Sequence, residues 1–250
     1  MNYLKPLLAL IISATLSSAQ TVITSLPYTI SSAGTYLLNQ TLFYSSGSGN
    51  AITVAASNVT LNLNGYGIFN TANQTTTSAT CISASNFENI TIENGEIFGF
   101  QNGIHLLGPS TGLSFNTGHI VQGLRLAYCT FRGIFLENAG NSLVQNCLLS
   151  SVGTTGKGVH VGPGYGILVF SVGGGSRVYR CQVLNATETG FVGVLTGGSQ
   201  GSYFEQNLAT NCNFGFAFGD AVDAYRDNAS FGSTTAAFSS GNDFGGNHSQ

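Results

Sequence analysis

The stretch VTLNLNGYGI, residues 59–68, sets a strand against a polar corner. Val59, Leu61 and Leu63 alternate with Thr60 and Asn62, the period of two that marks a strand with one buried face. Asn64-Gly65 then interrupts, and the apolar pattern resumes at Ile68. The cadence returns as ITIENGEIFGFQNGIHL (90–106). A unit of strand, corner and second strand cannot bury its own inner face, so recurring units must stack as turns of a coil.

Aligned on the corner, the chain reads Asn64-Gly65, Asn94-Gly95, Tyr128-Cys129, Asn146-Cys147, Arg180-Cys181, Gln206-Asn207 and Asp227-Asn228. Apolar residues flank it in step: Ile92, Leu126, Val144, Val178, Phe204 and Tyr225 before, Ile97, Phe131, Leu149 and Val183 after. A further strand follows most corners, as GIHL (103–106), GIFL (133–136), GVHV (158–161), GFVGV (190–194) and GFAF (215–218). Each opens on a glycine, which is expected to turn the backbone at positive φ. The predicted fold is all-β: a parallel β-helix of about seven to eight rungs, spaced about 4.8 Å apart. Cys129, Cys147 and Cys181 are then expected as one interior file of small free thiols, while Cys81 and Cys212 find no place in the alignment. Residues 20–50, with LPYTISSAGTYLLNQTLF (26–43) at their centre, are expected as a short N-terminal β cap over an otherwise open sheet end. The polar tail 239–250 is expected to fray.

Composition bounds the function. Charged residues make up 7% of the 250, against about 25% in ordinary domains, yet 42% of the chain is hydrophobic, enough to fill a core. The first 19 residues read as a secretory signal: Lys5, the apolar run PLLALIISATL (6–16), and Ser17-Ser18-Ala19 before Gln20. That run is too short to span a bilayer. The domain is therefore expected over 20–250, exported, with no membrane span. Without Lys5, six of the seven basic residues remain and they form no run, which argues against nucleic acid as a partner.

The N-terminal pattern LPYTI…GTYLL…NAITVAASNVTLNLNGYGI, followed by Asn-Cys and Gly-Ile repeats, resembles exported right-handed parallel β-helix proteins of the pectin-lyase-like superfamily. The resemblance covers 20–250 and implies the right hand of the coil. Known members cleave, isomerise or bind acidic polysaccharides along a groove on one sheet, so a polysaccharide is the expected partner. Their catalytic motifs are missing here: Asp220, Asp223, Asp227 and Asp243 are never adjacent, there is no Gly-His-Gly and no Asp-Pro-His, and the chain has no tryptophan. No catalytic residue carries over, and the reading is a polysaccharide-binding solenoid, with a divergent polysaccharide lyase or glycosidase, or a structural matrix module, as alternatives.

The candidate sugar face is a column of His105, Phe135 and His160, which occupy the same register in GIHL, GIFL and GVHV. Two imidazoles about 10 Å apart across one aromatic rung could hold a sugar, and a histidine could act as base in a β-elimination. Weaker candidates are Glu205 and Arg226 on adjacent rungs, with Glu188 and Asp227 as further carboxylates for a glycosidase. No metal or other cofactor is expected, although Asp220, Asp223 and Asp227 in GDAVDAYRDN (219–228) offer the hard oxygens that calcium prefers.

Overall fold

The computed structural model describes residues 20–109, 117–171, 175–195, 201–219 and 221–250. The chain winds as a right-handed parallel β-helix built on two sheets. One complete turn shows the plan. Leu143–Gln145 forms a first leg; the chain bends at Asn146; Leu148–Ser150 forms a second leg; it bends again at Ser151; and Tyr165–Ser171 forms the third leg before Arg177–Tyr179 starts the next turn. First and second legs belong to one folded 17-stranded sheet, and third legs make a separate nine-stranded sheet. In Ile90–Phe98 and Ile120–Ala127 the first two legs run on as single bent strands.

Every strand-to-strand pairing between turns is parallel and in step, so like residues form files. Tyr36, Leu61, Ile92, Val121, Val144, Val178, Phe204 and Tyr225 fill the inner file of the first leg. Ile52, Ile82, Ile104, Ile134, Ile167, Phe191 and Phe216 fill that of the third. Burying each of these side chains is worth about 1.5–3 kcal/mol. The stack therefore rests on columns of aliphatic and aromatic side chains, not on ions.

Two edges are turned by left-handed residues. Asn64, Asn94, Gly123, Asn146, Arg180, Gln206, Asp227 and Gly246 hold φ between 51° and 72° at the first corner, and Gly99, Tyr128, Ser151, Asn185, Asn211 and Gly232 hold φ between 53° and 81° at the second. Asparagine is the residue besides glycine that tolerates this conformation best, which explains its abundance.

Four expectations change. First, Cys129 is not in file with Cys147 and Cys181. Cys147 and Cys181 follow the first corner, in file with Leu124, while Cys129 follows the second. Both corners place a small apolar residue after a left-handed one, so their sequence signatures coincide. The turn's true first corner is Gln122-Gly123-Leu124. All five cysteines are nonetheless buried free thiols. Second, the glycines opening the third legs are not at positive φ. A Cβ on Gly133 would stand 2.2 Å from the Leu149 side chain and 2.6 Å from the Gly166 carbonyl, so these glycines make room for second-leg side chains. Third, residues 20–50 do not form a separate cap element: Gln20–Ile23 pairs in parallel with Gly34–Leu38, and Tyr28–Ile30 with Asn50–Val54, which makes this segment the first turns. With them the third-leg sheet has nine strands. Fourth, the tail continues the stack, Asn242–Asp243 and His248–Ser249 pairing with the turn before. The signal segment 1–19 lies outside the described residues. Among the described residues no helix is long and apolar enough to cross a membrane.

Candidate functional site

The outer face of the nine-stranded sheet carries His105 opposite Phe135, as the register predicts. Their rings stack at 4.7 Å, inclined by 16°. His160 is elsewhere. The strand partner of Phe135 on the next turn is Leu168, in YGILVFS, and GVHV lies in the preceding loop, where His160 bridges antiparallel to Thr154. The two glycine-led runs look alike in sequence; Tyr165-Gly166-Ile167 takes the strand because Gly166 fits against Val183, while Gly158 turns the loop at φ 75°. Phe135 is only 6% exposed. It is therefore not an open sugar platform but the floor of a cluster.

Around that floor stand four polar side chains. His105 Nε2 lies 2.8 Å from Glu137 Oε2, with the imidazole 26% and the carboxylate 31% exposed. The Arg132 guanidinium covers the Phe135 ring at 4.3 Å and the Phe131 ring at 4.0 Å. Tyr165 neighbours Arg132 on the next turn, its ring edge-on to Phe131 at 5.9 Å. Burial pulls the Arg132 guanidinium below its ordinary value, an effect opposed by Glu137 and Tyr165, and its Nε is buried without a protein partner. An imidazole, a carboxylate, a guanidinium and a phenol thus share one patch. Arg132 and Glu137 flank GIFL directly in RGIFLE, and in-step stacking alone would have placed them beside the histidine.

Loops 70–75 and 155–159 wall a cleft of about 620 Å³ lined by Asn73, Gln74, Phe98 and Lys157. The Gly156 amide donates to Gln74 Oε1 at 2.6 Å and ties the loops together. A second cleft, about 280 Å³, shares Thr75 and reaches Phe131 beside the cluster.

The first-leg face carries the remaining candidates. Tyr179, Glu205 and Arg226 stack in file as expected. Glu205 is 7% exposed and lies between two arginines: Arg177 Nη2 donates to Oε2, and Arg226 Nη2 lies 3.0 Å from Oε1. Arg226 Nε also reaches Asp227 Oδ2 at 3.2 Å. Farther along the same file, Asn62 and Gln122 both donate to the Glu93 carboxylate, at 2.9 and 2.8 Å, and Gln145 donates to Gln122 at 2.8 Å. Glu188 stands apart, at the entry to a third leg, where its backbone amide donates to the Gly164 carbonyl. Glu188 therefore stands away from Glu205 and Asp227, whose carboxylates share the Arg226 guanidinium. Asp223 is buried and accepts from the Ser202 amide at 2.7 Å, Asp227 turns a first corner, and Asp220 lies outside the described residues. Among the described residues no three His, Cys, Asp or Glu side chains gather to hold a metal.

No protein-family model matches the sequence, and no curated protein matches it. Among solved structures the chain is similar to an alginate lyase from Paenibacillus sp. str. FPU-7, at 15% identity and a TM-score of 0.52, over 95% of this chain and 80% of that one. At that identity the likeness is one of fold alone, and it agrees with the right-handed parallel β-helix described above.

Proposed function

We propose that this protein is exported and acts on a uronate-bearing polysaccharide by β-elimination at the outer face of the nine-stranded sheet. The observation that carries the reading is the meeting of His105, Glu137 and Arg132 at Phe135, with Tyr165 beside Arg132 on the next turn. The fold likeness to an alginate lyase supports it. Elimination needs three things of a protein: a cation for the uronate carboxylate, a base for the adjacent carbon-bound proton, and an acid for the departing oxygen. Arg132 supplies the cation, half-buried where its charge is least screened. With Nε2–H donating to Glu137, the His105 Nδ1 keeps a lone pair and takes the C5 proton. The C5–H electrons form the C4=C5 bond, the C4–O bond breaks, and the Tyr165 hydroxyl protonates the leaving oxygen. Glu137 holds the imidazole in that tautomer.

The test is incubation with alginate and polygalacturonate, read as ultraviolet absorbance of unsaturated ends. His105→Asn and Tyr165→Phe are each expected to slow product formation about 10²–10⁴-fold. Reducing ends without unsaturation would replace elimination by hydrolysis. Binding without any product would restore the reading of a pure polysaccharide-binding solenoid.

A further inference from the structure

Half of the basic residues beyond position 19, namely Arg177, Arg180 and Arg226 out of six, gather on one stretch of the first-leg face. We infer that this patch is a separate docking site for an anionic polysaccharide chain, on a different face from the elimination cluster. The inference rests on the proposed polyuronate substrate and adds a second contact to it.

Charge complementarity argues for the occupant. The whole chain is acidic, with ten carboxylates against seven basic residues, yet here three guanidinium groups meet two carboxylates, Glu205 and Asp227. Arg177 and Arg226 remain 49% and 48% exposed. Each carries five N–H donors, more than the buried Glu205 can accept from both. Among the described residues Arg180 is bound to no carboxylate; its Nε donates to Gln206 at 2.9 Å and its guanidinium lies 4.7 Å from the Tyr179 ring. Arg177 flanks the same ring at 4.8 Å and lies 5.9 Å from that of Tyr203. Guanidinium groups held on phenol rings lose little freedom on meeting a carboxylate. Burial, and the carboxylates of Glu205 and Asp227, keep the Tyr203 hydroxyl protonated to higher pH despite the opposing arginines, so it stays a donor for sugar oxygens.

Geometry argues for a polymer. Arg177 and Arg226 rise from turns two apart and their guanidinium groups meet across the Glu205 carboxylate, so they form one cationic patch at the end of the file. The Tyr179–Glu205–Arg226 file continues away from the patch as Gln145, Gln122, Glu93 and Asn62, amides and a carboxylate that extend a hydrogen-bonding track for sugar hydroxyls.

The experiment measures binding of the intact protein to polyguluronate, to the monomeric uronate, to dextran and to single-stranded DNA, at low and high salt. Removing both arginines would leave Glu205 buried and uncompensated, so the variant is the triple R177Q/E205Q/R226Q, with R180Q as an independent probe. Salt-sensitive binding of the polymer, at least ten times weaker in the triple variant and several times weaker in R180Q, with thermal unfolding of R180Q unchanged, is the expected result. Equal polymer binding by R180Q and the parent, equal binding of dextran or DNA, or monomer binding as tight as polymer would each overturn the inference. Unsaturated product reads the other face: binding that depends on the patch without product sinks only the elimination, and product without patch dependence sinks only the docking site.

Discussion

His119 shows what burial does to one titratable side chain in this fold. It is 1% exposed; its Nδ1 accepts from the Ile90 amide at 3.3 Å and its Nε2 has no protein partner. Burial brings its pKa down from 6.5 to about 4. The unfolded chain therefore binds a proton that the folded one refuses between those values, and stability falls as pH drops from 6.5 towards 4. The loss is about 3 kcal/mol by the low end of that window. Chemical denaturation at pH 7 and pH 4.5 should show it, and His119→Asn, which keeps a short acceptor without a titration, should flatten the profile. The Cys129 thiol follows the same logic: burial pushes it up to about 12, which removes the thiolate that oxidants attack.

At the scale of the element, the third-leg glycines set how closely the legs pack. A Cβ at Gly133 meets Leu149 at 2.2 Å, whereas at Gly190 the nearest side chain is Ala209 at 3.1 Å, beside the Gly215 carbonyl at 2.8 Å. Overpacking costs about 1–3 kcal/mol. Gly133→Ala is expected at or beyond the top of that range and Gly190→Ala near the bottom, as the difference in midpoints of urea unfolding will show. The element scale is also where sequence and structure part. Period-two alternation and the apolar files around Val144 and Val178 were legible, and so was the stacking of His105 on Phe135. What misled was degeneracy: Tyr128-Cys129 and Asn146-Cys147 carry one signature because two edges demand the same left-handed bend, and GVHV mimics YGIL because glycine serves turns and tight contacts alike. Tyr165 was missed because its place beside Arg132 depends on a register that misplacing His160 had already broken, whereas Arg132 and Glu137 were within reach of the register already read.

At the scale of the whole molecule, each turn touches only the turns above and below, so stability is close to a sum of neighbour terms. The buried amides of Asn207 and Asn228 illustrate this. Asn228 Oδ1 accepts from the Asn207 amide at 2.9 Å, and its Nδ2 donates to the Phe204 carbonyl at 3.0 Å, binding turn to turn. Cys181 and Asn207 hold equivalent places after the first corner, and the Asn207 side chain accepts from the Cys181 amide at 2.9 Å. A chain lacking 181–206, with Arg180 joined to Asn207, is therefore expected to stay soluble and melt cooperatively. Removing 181–205 instead should give aggregate, because a shift of one residue moves inner side chains outward. Size-exclusion chromatography and circular dichroism distinguish the two.

The left-handed edges thereby act as standard joints. Whole coils can be cut out or duplicated at one of them without inventing a new backbone shape, so the length of this rod is free to drift over descent while its cross-section stays constant.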